Sequence, residues 1–334
     1  MLVGFETTAL YQAGVDIDVY RTVAQKGEAL GFDSFWLGGH IVLPKTLSPL
    51  PPEDPNKTLS LTDPATVSEW ARRNAEKSAK DGNNRHDSNG HKLDPWTLFS
   101  HLAGLTTTLR FASGIFILPL VNPFVTARAL TTADIVSGGR IIVGIGVGWC
   151  PEEFAIVGED FHTRGKRADE IIEILQKLWT EDTIEYHGKH YSFPPVQFAP
   201  KPVQRPHPPI LGGGLTPPAI RRAARLNGCW MPINDIELIK SLLADIKQIR
   251  EADGLSNEPY DVTVHAPLPL TKDTLRRFED IGVTRVVAVI GAPPSVEGAA
   301  ATAGSIPPTS AGSIATTAKG FCDNLEQIAE RVLI

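Results

Sequence analysis

The sequence predicts a (β/α)8 barrel of the TIM type, an α/β fold, with insertions at the carboxyl-terminal face of its strands. Short apolar runs rich in β-branched residues recur eight times along the 334 residues. Helical stretches separate most of these runs, and connections of that length join parallel strands rather than hairpins. Eight such alternations in a chain of this size are typical of a closed barrel.

The strands and helices can be placed from apolar periodicity and from the residues that bound them. Strands are predicted at 2–5, 33–37, 110–118, 141–143, 210–211, 229–231, 262–265 and 285–290. Helices are predicted at 16–31, 94–105, 122–136, 168–179, 216–228, 235–251, 271–281 and 321–333. Asp16, Asp94 and Asn122 are suited to cap the first three of these helices, and Gly31 is suited to end the first.

Three segments interrupt the alternation. Residues 44–93 are too long for a simple connection and are interpreted as an insertion over one barrel face, with a helix from Asp63 to Ala79. The excursion 180–209 begins with a hairpin at 183–193 and continues through prolines without regular structure at 194–209. Residues 291–319 have the composition of a flexible loop. We predict one barrel domain over residues 1–334.

Charge and cysteine content narrow the functional class. A net charge of -6 and a pI near 5.9 give no reason to expect nucleic acid or an anionic membrane surface as a partner. The amino terminus lacks the features of a signal peptide, and no apolar run is long enough to span a bilayer, so we expect a cytoplasmic protein. Cys150, Cys229 and Cys322 are isolated, which fits a reducing compartment and predicts no metal site. His86 and His91 are interpreted as solvated loop residues.

The most distinctive stretch is the glycine-rich exit of the fourth strand. Gly144, Gly146 and Gly148 follow an apolar run and allow the backbone to approach a ligand. The spacing resembles the dinucleotide-binding fingerprint, but Trp149 stands where its third glycine belongs. The motif also lies in the middle of a long βα series. We therefore prefer a barrel to a Rossmann fold and interpret Trp149 as a pocket wall.

In a barrel, the active site forms at the carboxyl ends of the strands. This rule nominates Glu6, His40, Ile115–Leu118, Gly146–Trp149, Gly212–Gly214 and His265. A histidine at that rim can exchange a proton near neutral pH or hydrogen-bond a bound ring. The alternative for His40 is a packed histidine with satisfied ring nitrogens.

A second glycine run, Gly212–Gly214, precedes a helix that starts with proline and carries Arg221 and Arg222. Free N–H groups at such a helix start favour a phosphate, whereas a tight turn would need the glycines for geometry alone. We favour the phosphate site. Arg164 and Arg167 are interpreted as surface or structural charges.

Several motifs, in order, resemble the luciferase-like monooxygenase superfamily, whose members bind FMN or the deazaflavin F420 in a (β/α)8 barrel. The matching segments are 36–40, 94–96, 113–119, 122–123, 137–149, 153–154, 164–167, 169–179, 200–213, 222–224 and 228–230. They cover nearly the whole chain apart from the insertion and the 291–319 loop. Among its subgroups, the pattern is most similar to the F420-dependent enzymes.

The resemblance implies specific roles. It implies a non-prolyl cis peptide at Gly114-Ile115 behind the cofactor ring, with Gly39, His40 and Gly146 also beside the cofactor. Gly212, Gly213 and Gly214 match the phosphate region, and His40 matches the histidine near the reactive ring face. The substrate pocket would include Glu6 and Trp149.

Two departures bear on the substrate. F420-dependent sugar-phosphate dehydrogenases have an aspartate at the position of Gly39 and a glutamate at the position of Trp149. The absence of both argues against glucose 6-phosphate as substrate. Trp149 instead indicates an apolar organic substrate. The first hypothesis is therefore an F420-dependent oxidoreductase that transfers a hydride.

Two alternatives remain open. One is an FMNH2-dependent monooxygenase that uses O2 and a separate reductase, and the other is a non-catalytic flavin-binding paralogue. The resemblance also implies a homodimer, and a reductase partner if reduced cofactor must be supplied.

Overall fold

The computed structural model describes residues 1–7, 16–45, 48, 57–80, 93–266, 269–290 and 317–333. The strands in these ranges are β1 Leu2–Glu6, β2 Ser34–Gly39, β3 Arg110–Ile117, β4 Ile141–Gly146, β5 Thr183–His187, β6 Ser192–Gln197, β7 Ile210–Gly213, β8 Gly228–Met231, β9 Asp261–Ala266 and β10 Arg285–Val289. The α-helices are α1 Ile17–Ala29, α2 Val67–Lys80, α3 Pro95–Ala103, α4 Pro123–Ser137, α5 Pro151–Val157, α6 Arg164–Thr180, α7 Pro217–Ala224, α8 Ile236–Ala252, α9 Lys272–Glu279 and α10 Ala318–Val332.

Eight strands close into one parallel barrel in the order β1-β10-β9-β8-β7-β4-β3-β2. This topology confirms the predicted (β/α)8 barrel and excludes an open, doubly wound sheet. The remaining strands, β5 and β6, form a separate antiparallel hairpin. Helix caps follow the sequence signals, since Asp16, Asp94 and Asn122 each accept hydrogen bonds from the first turn of the next helix.

Two apolar layers hold the barrel together. A small cluster, which Trp36 and Trp230 dominate, brings together buried side chains of six strands, namely Trp36, Ala112, Ile142, Leu211, Trp230 and Val287. A larger layer packs the strands against the helices and includes the stacked rings of Phe5 and Phe35. Burial on this scale stabilises the fold at about 25 cal/mol per Å² of apolar surface removed from water.

The structure departs from the predicted elements in two places. A short helix, α5, lies at 151–157, where none was predicted. The segment 194–209 was expected to lack regular structure, but β6 continues through Pro194 and Pro195 to Gln197. The expectation was wrong for 194–197 and holds for 198–209. Proline has no N–H to donate to a neighbouring strand, but in a two-stranded ribbon each strand has one unpaired edge, where no donor is needed. The two prolines also lie where the pairing shifts register opposite Glu185.

Parts of two predicted segments lie outside the described residues. These parts are 46–47, 49–56 and 81–92 of the insertion, with His86 and His91, and 291–316 of the final loop. Within the described part of the insertion, α2 begins at Val67 rather than at Asp63. No helix in the described ranges combines the length and the apolar composition needed to cross a bilayer.

Glu28, near the end of α1, ties that helix to the segment before β3. Its Oε1 accepts hydrogen bonds from three consecutive backbone N–H groups at 107–109, over 2.8, 2.6 and 2.9 Å. Partial burial raises the pKa of Glu28, but these hydrogen bonds outweigh it and lower the pKa from 4.5 to about 2. The carboxylate therefore stabilises the folded state fully above pH 4.5, and this contribution is lost as the pH falls towards 2.

We expect Glu28→Gln to lower the free energy of unfolding near neutral pH, because the amide cannot accept all the hydrogen bonds that the carboxylate accepts. The variant should then lose less further stability on acidification than the wild type. Urea unfolding at about pH 6 and about pH 3 measures both effects. Glu181→Gln, which removes only an exposed ion pair with Lys177, is the control and should change little. Equal acid sensitivity in wild type and Glu28→Gln would contradict the assignment.

Candidate functional site

A cavity of about 570 Å³ opens at the carboxyl ends of the barrel strands. Of the residues that the rim rule nominated, Phe116, Leu118 and His265 are not on its wall. Of the ten residues to which the family resemblance gives a role, all but one line the wall: Glu6, Gly39, His40, Gly114, Ile115, Gly146, Trp149, Gly213 and Gly214. The exception is Gly212, which is not on the wall. A Cβ at Gly212 would lie 2.7 Å from Cα of Ala223 in α7. Gly212 therefore allows close packing of β7 against α7. This is the alternative to a phosphate contact that the sequence analysis gave for the glycine run, namely geometry alone.

The back wall of the cavity is built on the Gly114–Ile115 peptide of β3. This peptide bond is cis, as the family resemblance implies. The Ile115 side chain lies between two glycines: a Cβ at Gly146 would be 2.3 Å from its Cδ1, and a Cβ at Gly213 would be 2.7 Å from its Cγ2. The glycines at the ends of β4 and β7 thus make room for Ile115, and Ile115 closes the floor between these strands.

Trp230, at the end of β8, forms the neighbouring part of the wall. Its indole N–H is buried and has no hydrogen-bond acceptor among the described residues. It lies against Gly114, where an added Cβ would be 3.3 Å from the indole nitrogen. A buried donor without an acceptor costs about 1–3 kcal/mol.

His40, at the end of β2, is held by a buried carboxylate. Its Nδ1 lies 2.7 Å from Oε2 of Glu153, whose side chain is fully buried. The other oxygen of Glu153 accepts the backbone N–H groups of Ile41 and Val42 over 2.8 and 3.2 Å. Because a carboxylate only accepts, Nδ1 carries the proton, and Nε2 is the ring nitrogen that would serve a ligand.

Trp149 and the insertion complete the apolar part of the wall. The Trp149 ring contacts His40 edge to face, with the ring centroids 5.9 Å apart. Leu61, Pro64 and Val67 contribute from the insertion. The prediction that Trp149 is a pocket wall agrees with this position.

The insertion is attached beside His40. Arg72 of α2 forms an ion pair with Glu152 of α5, with 2.9 Å between Nη2 and Oε1. The same carboxylate accepts the backbone N–H of Ser48 over 2.9 Å. Of the two adjacent carboxylates of α5, Glu152 thus holds the insertion and Glu153 holds His40.

A basic rim lies at the other side of the cavity, formed by His162, Arg164, Lys166 and Arg222. Arg164 was interpreted as a surface or structural charge; it does hold local structure, and it also lines the cavity. Its guanidinium lies over the Phe161 ring at 3.6 Å and donates to two backbone carbonyls. No carboxylate of the described residues pairs with it, and burial lowers its pKa. An uncompensated, half-buried cation favours a bound anion.

Two helix starts adjoin this rim. Helix α6 begins at Arg164 and α7 at Pro217, and neither has a side-chain cap. Their first N–H groups and dipoles add positive potential to the same region. Arg167, in contrast, is buried and pairs with Glu159, so it is a structural charge as predicted.

Cys150 lies next to the site but not on its wall. Burial raises the pKa of its thiol to about 11, so the reactive thiolate is scarce near neutral pH. The three cysteines are unpaired. Among the residues that the structure describes, no group of histidine, cysteine or acidic side chains could hold a metal ion.

The chain is similar to one family model and to several known proteins. A family model described as "Luciferase-like monooxygenase" matches residues 1–275. The uncharacterized protein Rv0940c of Mycobacterium tuberculosis is 30% identical over 276 residues, 83% of this chain and 86% of that protein. The FMNH(2)-dependent dimethylsulfone monooxygenase of Pseudomonas putida is 36% identical over 137 residues, 40% of this chain and 38% of that protein.

Two solved structures share the fold over the full length. The monooxygenase RslO1 from Streptomyces bottropensis superposes with a TM-score of 0.68 at 18% identity, covering 100% of this chain and 99% of that chain. The coenzyme F420 dependent tetrahydromethanopterin reductase from Methanopyrus kandleri gives 0.66 at 13% identity, with the same coverage of 100% and 99%. At these identities the likeness concerns the fold.

Proposed function

Because the chain belongs to the luciferase-like monooxygenase family of flavin- or F420-dependent oxidoreductases, we propose that it is an F420-dependent oxidoreductase acting on an apolar organic substrate. One observation carries the choice of cofactor: the cavity joins an apolar back wall to a rim with four basic residues, of which Arg222 is paired with Asp169. A planar deazaflavin fits the first, and its tail, which bears a phosphate and carboxylates, fits the second. FMN has a single phosphate and would use less of that rim.

The residues of the back wall fit such a ring. Gly114, Gly146 and Gly213 have no side chains to obstruct it, and Ile115 offers an apolar surface. Arg164 and the starts of α6 and α7 would hold the anionic tail. When bound, the deazaflavin supplies the two-electron chemistry, and the protein supplies binding, orientation and electrostatics.

His40 would transfer the proton to or from the substrate. Glu153 fixes its tautomer and ring orientation through Nδ1, so Nε2 can donate or accept a proton at the substrate. The apolar side chains of Trp149 and the insertion would exclude water and select an apolar substrate. A cavity with an oriented histidine argues against a non-catalytic paralogue.

Titration of the purified full chain with F420 and, separately, with FMN tests the proposal, with binding followed by fluorescence. We expect F420 to bind more tightly than FMN. Binding of FMN alone would replace the proposal with the monooxygenase alternative. Binding of neither would revive the non-catalytic alternative.

Arg164→Gln is expected to weaken cofactor binding by about 10- to 100-fold, because a charge-assisted hydrogen bond contributes about 1.5–3 kcal/mol. The fold should be retained, since the guanidinium donates only to backbone carbonyls. Arg128→Gln is a matched control, because Arg128 also stacks on a phenylalanine, Phe198, but lies outside the cavity. Equal affinity of Arg164→Gln and the wild type would remove Arg164 from the anion site.

The similarity to the FMNH(2)-dependent enzyme of Pseudomonas putida supports a second candidate. In that case the chain would be the oxygenase of a two-component system, and a separate reductase would deliver reduced FMN. Consumption of O2 with photoreduced FMN, but not with reduced F420, would favour this candidate. His40 and Glu153 would keep the same positions and the same proton.

A further inference from the structure

A second histidine–carboxylate pair lies at the cavity end of the barrel, separate from His40 and Glu153. Glu6 is the last residue of β1 and lines the cavity. Its Oε2 lies 2.9 Å from Nε2 of His265 in β9, which is not part of the cavity wall. The two side chains are only 6% and 12% exposed. Glu6 is thus the member of the pair that lines the cavity, and His265 contacts it from outside the wall.

The charge of this pair is not fixed. Among the described residues, neither Glu6 nor His265 forms an ion pair with a lysine or arginine. At 2.9 Å, Oε2 of Glu6 and Nε2 of His265 form one hydrogen bond, whose proton can lie on either atom. Two arrangements differ by the position of one proton, an ion pair and a neutral pair.

The other end of the same strands shows what a structural charge network looks like here. Arg285, at the start of β10, is fully buried and pairs with Asp33 and Asp261 over 2.7 and 2.6 Å. That network uses a permanently charged guanidinium. At the cavity end, the strands are already joined by their ladder, including the bond from Ile290 N–H to the Glu6 carbonyl. The Glu6–His265 pair is therefore not required to hold the strand ends together.

We propose that Glu6, supported by His265, is a second proton-exchange group of the cavity and serves a substrate that carries a hydroxyl or carbonyl oxygen. The proposal rests on the proposed function and specifies the substrate class of the same site. Glu6 is the catalytic residue, because it faces the cavity, and His265 is a positioning residue, because it acts through Glu6.

The proton balance of the reductive direction is complete. The C=O π bond of the substrate would break, and the carbon would gain a hydride with its two electrons, which a bound reduced cofactor would supply. The oxygen gains the proton that Glu6 holds, which gives an alcohol. The pair then regains a proton from water. In the oxidative direction each transfer is reversed.

The test uses 4-nitrophenol as a probe, because its phenol and phenolate forms absorb at different wavelengths. The full chain is titrated with the probe at one pH near neutrality, and the phenolate-to-phenol ratio of the bound probe is recorded. A carboxylate at Glu6 should favour the phenol form. We expect the ratio in the wild type to be about 10-fold lower than in Glu6→Gln, one pKa unit for a neighbouring charge.

The variants separate the proposal from a structural role. His265→Gln should move the ratio in the direction of Glu6→Gln, because Glu6 would lose the imidazole that holds its carboxyl group in place. His207→Gln, at a buried histidine outside the cavity wall, should keep the wild-type ratio. The same ratio in wild type and Glu6→Gln, or no binding of the probe, would overturn the proposal. The cofactor titration is separate, so failure of one proposal is distinguishable from failure of the other.

Discussion

Glu153→Gln is expected to lower turnover by about 10²- to 10⁴-fold, the range for removal of an oriented general acid or base. The reason lies in its three donors: Ile41 N–H and Val42 N–H on one oxygen, and the imidazole of His40 on the other. If the glutamine oxygen faces the backbone, its NH2 group faces Nδ1 and forces the His40 proton to Nε2. If it faces His40, the NH2 group meets the two backbone donors. Either orientation breaks the arrangement.

Steady-state kinetics of a double-mutant cycle would measure this coupling. We expect His40→Gln and the double variant His40→Gln/Glu153→Gln to be equally slow, because the two residues act as one unit. Glu170→Gln is the matched control. Glu170 also accepts several backbone N–H groups, but these belong to the β5–β6 hairpin, which does not line the cavity. Its turnover should be normal. Effects that multiply in the double variant would contradict the proposed unit.

The sequence could predict the barrel because each strand and helix carries a local signal. Apolar runs, capping residues and terminal glycines place the eight strands, and the carboxyl ends of the strands then define one rim. Nine of the ten residues to which the family resemblance gives a role line the cavity for this reason, whereas Phe116, Leu118 and His265, which the rim rule also nominated, do not. Gly212 is the exception, since a glycine at a strand end serves ligand approach and helix packing equally well.

The roles of the rim residues could not be predicted in the same way, because they depend on contacts between residues far apart in the sequence. Glu153 lies on α5, which the sequence analysis missed, although Pro151 after Cys150 and the acidic first turn are ordinary signs of a helix start. Its bond to His40 joins residues 113 positions apart. The proposal that Arg164 binds an anion rests on its partial burial and on the absence of a carboxylate partner among the described residues. Those are properties of tertiary structure.

The second large effect is expected from substitution of Gly146, one of the two glycines that lie against Ile115. Gly146→Ala would place a Cβ 2.3 Å from Cδ1 and 2.9 Å from Cγ1 of Ile115. On its other side, Ile115 already lies against Gly213, so its side chain can yield only towards the cavity. We expect the substitution to cost about 1–3 kcal/mol of stability through overpacking. Cofactor affinity should fall by about 10- to 100-fold, because the displaced side chain would enter the space of the ring.

A second substitution tests this explanation. Ile115→Ala removes both atoms that the new Cβ would meet, so Gly146→Ala/Ile115→Ala should bind the cofactor more tightly than Gly146→Ala alone. Gly104→Ala is the control, since a Cβ there has its nearest neighbour at 3.5 Å and φ is -70°. Fluorescence titration and thermal unfolding measure the two effects. If Ile115→Ala fails to restore binding, Gly146 must contact the cofactor directly rather than make room for Ile115.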